Sequence, residues 1–377
     1  MPPRHPSIAH ALGLVRRRLP PAHGAEPRRM HIACSGGADS IALLGLLHLL
    51  APRDRLVLTV GHIDHGLRPE SEAEARGVVA VAQGMGLAVE VATLELSRGA
   101  GLPARARDAR RQALQAQARG VGATFVVLGH TATDQAETVL LHLARGAGLE
   151  GLAAMADYEP WQAGTPGGWV RPMLDLSRAR TRSLAVRLGH RFVDDPTNDE
   201  DAHPRVRVRQ HVLPSLAAIN PRVEEALARS AAHARQAEDA LGIWVDRELR
   251  SRRRPPRGHT TVEIATHVQT DVAQAHADTG RDAEPDVTPG SRWSTEGMER
   301  LPSAIRTRFV RRVCQGVGAP DDALSARTLA SVDDALASPG PARTWDLHPS
   351  LRLCIALGEL WAETRPARDP REQPLTP

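Results

Sequence analysis

Along the first part of the chain, short apolar runs alternate with segments whose apolar residues recur at helical spacing. The runs at about 30–34, Leu56 to Ile63, Leu87 to Leu94 and Thr124 to Leu128 are rich in Val, Leu and Ala and bounded by polar or Gly-containing turns. That is the pattern of strands buried on both faces. Between them, helical spacing covers about 39–50, 70–85, 104–119 and 133–144. Strands alternating with helices in this way predict an α/β fold, a doubly wound parallel sheet built from βαβ units. A short amphipathic helix, Ala11 to Val15 followed by Arg16, Arg17 and Arg18, precedes the first strand. Beyond Gly151 the pattern loosens. A Gly/Pro-rich stretch runs from Trp161 to Trp169, and an extended piece covers Val170 to Leu174. A helix follows at about 177–188, then a polar loop at 194–204 and an Arg-rich helix that Pro214 closes.

The composition changes near 218, which sets the expected domains at 1–217 and 218–377. The second is mainly helical. A long segment at about 221–251 carries Val223, Leu227, Ala231, Ala234, Leu241 and Trp244 at helical spacing, and further helices are expected at 300–314 and 324–337, then a hairpin at 343–363. Residues 255–292, poor in large apolar side chains, read as a mobile insert, and 365–377 as a disordered tail.

Hydrophobic residues make up 41% of the 377, enough for ordinary cores, but aromatics only 3%, so those cores rest on Leu, Val and Ala. No apolar run reaches membrane-spanning length, and no hydrophobic signal segment opens the chain. Cys34, Cys314 and Cys354 are scattered without C-x-x-C spacing, which points away from a disulfide framework or a zinc or iron–sulfur centre and toward a cytoplasmic setting. The formal charge is +4 with a pI near 9.7, and the chain contains no lysine. Every fixed cation is therefore an arginine fork suited to phosphate. A GC-rich coding bias is the better account of that usage, and charge alone does not establish a nucleic-acid partner.

Candidate chemistry concentrates first at Cys34-Ser35-Gly36-Gly37-Ala38-Asp39-Ser40, where the first strand gives way to the first long helix. Paired glycines admit backbone geometry closed to other residues, and free N–H groups at a helix start attract an anion, a phosphate above all. Ser35 and Ser40 add hydroxyls, and Asp39 a carboxylate suited to Mg²⁺. The loop lacks the Walker lysine and the dinucleotide G-x-G-x-x-G. It resembles the PP-loop of the ATP pyrophosphatases, which split ATP into AMP and pyrophosphate while adenylating a substrate.

A second constellation is His130 to Thr138. Asp134 and Glu137, three apart on a helix, share a face, and His130 ends the preceding strand. A His with two carboxylates suits acid–base work or metal-assisted handling of phosphate. The same residues also fit a capping box, which is purely structural. Both constellations fall at carboxyl ends of the expected strands, where open α/β sheets bind ligands. Arg105, Arg107, Arg110 and Arg111 on the helix expected at about 104–119, and Arg205, Arg207 and Arg209 after the acidic loop, are candidate phosphate contacts or solvated faces.

Several stretches in order resemble the tRNA(Ile)-lysidine synthetase family over about 28–217. They are Ser35 to Ser40, Asp64-His65-Gly66-Leu67-Arg68, Ala106-Arg107-Asp108-Ala109-Arg110, His130 to Thr138, Arg145 to Gly148 with Gly151-Leu152, Arg171 to Leu174, and Asp195-Pro196-Thr197-Asn198. The resemblance implies that ATP adenylates C2 of the wobble cytidine in the CAU-anticodon isoleucine tRNA. The ε-amino group of free L-lysine then displaces AMP to give lysidine. It further implies that Ser35, Gly36, Gly37, Ala38, Asp39 and Ser40 hold ATP, with Asp39 near Mg²⁺. His130, Asp134 and Glu137 would be catalytic alongside Asp39, and Arg107, Arg110 and Arg205 would contact tRNA or phosphate. One carboxylate would help hold the metal and the other receive the lysine ammonium; the sequence leaves open which does which. By the same resemblance 218–377 is a helical tRNA-binding domain, and a homodimer is among the states the sequence permits. Thr131 stands where the family often has a second His, Thr133 where it often has Asp or Asn, Arg111 where an aromatic is common, and Val206 where Asn is common. Three other readings share the loop: a PP-loop tRNA thiolase, for which Cys34 lacks a partner in motif spacing; an amidating PP-loop enzyme, against which the sequence shows no glutaminase domain or catalytic Cys; and a non-catalytic ATP-binding regulatory module.

Overall fold

The computed structural model describes residues 5–22, 24, 26–64, 71–94, 101–161, 167–193, 204–255, 287–288, 290–320, 323–348 and 351–364. The chain divides into two compact units, Met1–Glu238 and Asp239–Pro377. The expected boundary at 217/218 coincides with the turn between two helices, whereas the division by compactness falls within the 30-residue helix Val223–Arg252 (α10).

In the first unit, helix Pro6–Arg17 (α1) leads to strands Arg28–Ala33 (β1), Leu56–Asp64 (β2), Ala88–Thr93 (β3) and Phe125–Val127 (β4). These are separated by helices Ala38–Asp54 (α2), Ser71–Gly84 (α3) and Leu102–Gly120 (α4). Helices Ala132–Ala144 (α5) and Leu149–Leu152 (α6) follow, then strands Tyr158–Pro160 (β5) and Gly168–Val170 (β6), and helix Arg178–Arg187 (α7). The sheet order is β3-β2-β1-β4-β6-β5, parallel throughout except that β5 runs antiparallel to β6 at the edge. The chain winds outward from β1 through β2 to β3 and then returns to β1's other side with β4. The carboxyl ends of β1 and β4 thus flank the point where strand order reverses, the place such sheets reserve for ligands.

Alternation along β1 explains why the sheet is covered twice. Met30 and Ile32 face a cluster that includes Ile41, Leu43, Leu44 and Leu47 of α2, Val78 of α3 and Leu184 of α7. Ala33 belongs to the opposite cluster with Leu114 and Ala118 of α4 and Trp169 of β6. Helix α2 is apolar nearly all round because it is buried nearly all round, which is why its sequence shows no polar stripe.

Two local expectations are corrected. Residues 171–174 turn rather than extend; the strand ends at Val170. Pro214 does not close its helix. Pro204–Arg207 (α8) passes through a π turn at Val208–Val212 into Leu213–Ala217 (α9), and the Leu213 N–H reaches back to the Val208 carbonyl. The wider turn accommodates the proline's missing donor.

The second unit holds the end of α10, helices Ser303–Gly316 (α11) and Ala326–Ala337 (α12), and an antiparallel sheet. That sheet is formed by Arg253–Arg254 (β7), Arg292–Ser294 (β8), Arg343–His348 (β9), Leu351–Ala356 (β10) and Glu359–Thr364 (β11) in the order β7-β8-β11-β10-β9. The expected hairpin is thus part of a five-stranded sheet. Its core centres on Trp293, whose ring meets Phe309 edge-on at 6.2 Å and whose N–H donates to the Leu249 carbonyl. Most of the expected insert, and the 365–377 tail, lie outside the described residues. No helix among those described is long and apolar enough to cross a membrane.

Candidate active site

The Ser35–Gly37 loop leaves β1 and enters α2 with Gly36 at φ +89°, a conformation that excludes most side chains, and Gly37 as an N-cap without a side-chain bond. The first N–H groups of α2 are thus left to a ligand. Ser40 turns inward: its hydroxyl donates to the Gly37 carbonyl at 2.9 Å and accepts from the Ser35 N–H at 3.2 Å, so it braces the loop. From the other side, Gly129 at the end of β4 lies so close that a Cβ there would sit 3.3 Å from the backbone of Ser40. That contact sets the loop directly beside His130.

Asp39 projects from the first turn of α2 toward the first turn of α7. The Thr181 hydroxyl donates to its Oδ1, and Arg178 Nε lies 3.3 Å from its Oδ2. Burial pushes the Asp39 carboxyl above the ordinary range, with Thr181 and Arg178 pulling the other way. Asp134 is shared between two tasks. Its Oδ2 accepts from the Thr131 N–H at 2.8 Å and from the Thr131 hydroxyl at 2.7 Å, closing a capping box on α5. Its Oδ1 faces Arg178 Nη2 at 3.3 Å. The capping and chemical readings therefore both hold, on different oxygens. Burial disfavours the Asp134 charge, but Arg178, His130 and the Thr131 bonds outweigh it and hold the carboxyl below the ordinary range.

One turn along α5, Glu137 is fully buried and accepts from Arg209 Nε at 2.6 Å through one oxygen, while its other oxygen is buried without a hydrogen-bond partner. His130 Nδ1 is likewise buried and unpartnered. Burial, reinforced by the charges of Arg171, Arg110 and Arg205 and opposed by Asp134, lowers the imidazole to about 4, so the ring is neutral at pH 7.

The three arginines expected to meet phosphate separate. Arg110 is partly buried on α4, lowered by burial, and its charge is felt at both Cys34 and His130. Among the described residues no carboxylate pairs with it. Arg205 is exposed and donates to the Thr138 hydroxyl at 3.1 Å, one turn from Asp134. Arg107 points to solvent. Arg111, by contrast, is structural: it stacks 4.3 Å over Trp169 and donates to Glu159, which also accepts from the buried Arg171. His65, Gly66, Leu67 and Arg68, and Asp195 to Asn198, lie outside the described residues.

Arg178 and Thr181 stand outside every motif of the sequence, and Arg209 stands in it only as part of a charge run. Arg178 did carry a signal. It stands at the first position of a helix capped by Ser177, where the dipole disfavours a cation.

The donor set fits Mg²⁺. Two hard carboxylates, Asp39 and Asp134, converge on one point now neutralised by a guanidinium, and Mg²⁺ is commonly held by one or two carboxylates together with substrate phosphates. Among the described residues no group of three or more His, Cys, Asp or Glu could hold a metal ion.

Residues 13–216 match the PP-loop domain family. The tRNA(Ile)-lysidine synthase of Thermobifida fusca is 36% identical over 304 residues, 80% of this chain and 81% of its own. That of Streptomyces coelicolor is 38% identical over 309 residues, 80% of this chain and 76% of its own. Among solved structures, the U34-tRNA thiolase NcsA from Methanococcus maripaludis, with its iron–sulfur cluster, superposes with a TM-score of 0.52 at 16% identity. It covers 60% of this chain and 78% of its own, a likeness of fold.

Proposed function

Because this chain belongs to the tRNA(Ile)-lysidine synthase family, ATP-dependent carbon–nitrogen ligases that modify tRNA, we propose that it joins free L-lysine to C2 of the wobble cytidine of the CAU-anticodon isoleucine tRNA. The observation that carries this reading is the pairing of two differently equipped acids at one strand end. Asp134 sits with Asp39 beside the phosphate loop, whereas Glu137 keeps a buried oxygen unpartnered.

In the first step O2 of the cytidine attacks the α-phosphorus of ATP and pyrophosphate leaves. The N–H groups at the start of α2 receive the phosphates, and Arg110 contributes a fixed positive charge on the same side. Asp39 and Asp134 would hold Mg²⁺, which would supply charge neutralisation at the phosphates. His130, neutral, offers an uncharged hydrogen-bonding edge that adds no repulsion near the arginines.

In the second step lysine Nζ attacks C2, the C2–O bond breaks, and AMP departs with that oxygen. The attacking amine must lose a proton, and we assign its acceptance to Glu137, supported by the buried oxygen of that carboxylate that has no hydrogen-bond partner. Arg209 holds the opposite oxygen and keeps the carboxylate from turning away. On this reading Asp134 would serve the metal and Glu137 the lysine.

The thiolase reading gains nothing from the geometry. Cys34 is fully buried behind the loop, and burial pushes its thiol up, away from the reactive thiolate. A cytoplasmic location follows from the substrate. The test is transfer of labelled lysine to a CAU-anticodon isoleucine tRNA transcript with ATP and Mg²⁺. Transfer that requires all components supports the assignment; no transfer beside a working control overturns it.

A further inference from the structure

The contacts of Arg178 differ from the close arginine–carboxylate pairs of the first unit. Arg18 grips Asp175 with two bonds of 2.7 and 2.8 Å, and Arg209 holds Glu137 at 2.6 Å. Arg178 instead stretches between two carboxylates on different helices, 3.3 Å from each, and its Nε lies buried without a well-formed hydrogen bond. Its side chain is 35% exposed, so it can move without unpacking a core. What is fixed is its backbone: the Arg178 N–H donates to the Thr133 hydroxyl at 3.0 Å, anchoring the first turn of α7 to the residue next to Asp134. Thr133 in turn donates to Glu224 at 2.6 Å.

Two carboxylates facing one space repel each other unless a cation lies between them. Without nucleotide, the cation between Asp39 and Asp134 is Arg178. We propose that Arg178 is a positioning residue that keeps the Asp39–Asp134 pair preformed in the nucleotide-free enzyme and yields that place to the divalent cation arriving with ATP. This rests on the reading that Asp39 and Asp134 hold Mg²⁺. The loose, one-bond-each geometry is what such an exchange needs, because a bidentate clamp at 2.7 Å would compete with the incoming metal. The guanidinium, always charged, remains next to the phosphates after it is displaced and adds a donor to the leaving pyrophosphate. It also blocks the pair from collecting metal ions before nucleotide binds.

The test uses Mn²⁺ alone, without nucleotide, tRNA or lysine, with bound metal read from the loss of the free-ion electron paramagnetic resonance signal. Wild-type enzyme is expected to leave Mn²⁺ free at concentrations where Arg178→Gln binds about one ion per chain, a gain of about tenfold or more in affinity from removing the resident charge. Adding Asp134→Asn to Arg178→Gln is expected to abolish that binding. Equal Mn²⁺ binding by wild type and Arg178→Gln, or binding that survives Asp134→Asn, overturns the proposal. If Arg178→Gln does not fold, Mn²⁺ is expected to restore folding by replacing the lost cation, and failure to do so is equally fatal. Lysine transfer by the wild type is a separate measurement, so a wrong substrate assignment and a wrong role for Arg178 give different results. A third outcome, wild-type pyrophosphate release from both Asp39→Asn and Asp134→Asn, removes the metal reading on which this one stands.

Discussion

Glu137 and Arg209 meet at 2.6 Å with the carboxylate fully excluded from water, so α5 is tied to the π turn between α8 and α9 by a charged bond that adds to the packing of Ala136 against Val208. Sequence distance conceals this pair: 72 residues separate the two positions. A π turn shifts the phase of the side chains that follow, and here Arg209 falls within it.

Removing Arg209 while leaving Glu137 is expected to strand a buried charge. Arg209→Met should therefore lose about 3 kcal/mol of stability in urea unfolding, and Glu137→Gln in the same chain should recover most of it. Lysine transfer should stay lost in the double variant, since the proton acceptor is gone. Full stability in Arg209→Met would show that the pair is not holding α5.

Asp39→Asn is expected to leave the fold intact and cut pyrophosphate release at least about 100-fold, because Asp39 is the carboxylate nearest the phosphate loop. Tryptophan fluorescence and thermal melting check the fold, and a pyrophosphate-coupled assay checks the chemistry.

The His130 ring, held at about 4 against an ordinary 6.5, gives a pH prediction. The folded enzyme keeps the ring neutral, whereas the unfolded chain takes up a proton below pH 6.5. Stability from this group is therefore complete above pH 6.5 and is lost as pH falls toward 4. Asp39, pushed up by burial, contributes with the opposite sign, and His31, pushed down by burial, with the same sign. The informative quantity is thus a difference: the wild type should lose more stability between pH 7 and pH 5 than His130→Asn, measured by urea midpoints. Parallel curves would mean that His130 is not held neutral.

Gly129→Ala places a methyl group 3.3 Å from Ser40 Cα and N, atoms that cannot rotate away. The variant should melt only a few degrees lower while adenylation falls about 100-fold, since displacement of the phosphate loop by a fraction of an ångström is felt mainly by the reacting groups. Activity and stability falling together would mean that the contact serves packing alone.

Strands β5 and β6 fall beyond Gly151, where the pattern along the chain loosens, whereas the first four strands, the helices between them and the Ser35–Gly37 loop are legible in the sequence. Each is written locally, in period, in paired glycines and in helix starts, and Asp39, His130, Asp134 and Glu137 stand close to such signals. It also marked Arg110, which the structure buries near Cys34 and His130, but it could not separate that residue from exposed Arg107 or from Arg111, which Glu159 and Trp169 claim. Only the tertiary structure decided which charge meets which. Arg178 meets Asp39 across 139 positions and Asp134 across 44, and Arg209 meets Glu137 across 72. The reason is physical. A carboxylate's partner is fixed by burial and by which helices the sheet brings together, and neither distance nor dielectric is encoded in the spacing of residues along one element. The two strands β7 and β8 escaped notice for a related reason: each is three residues or fewer, too short for a period, and becomes a strand only by pairing with an edge supplied from elsewhere in the chain.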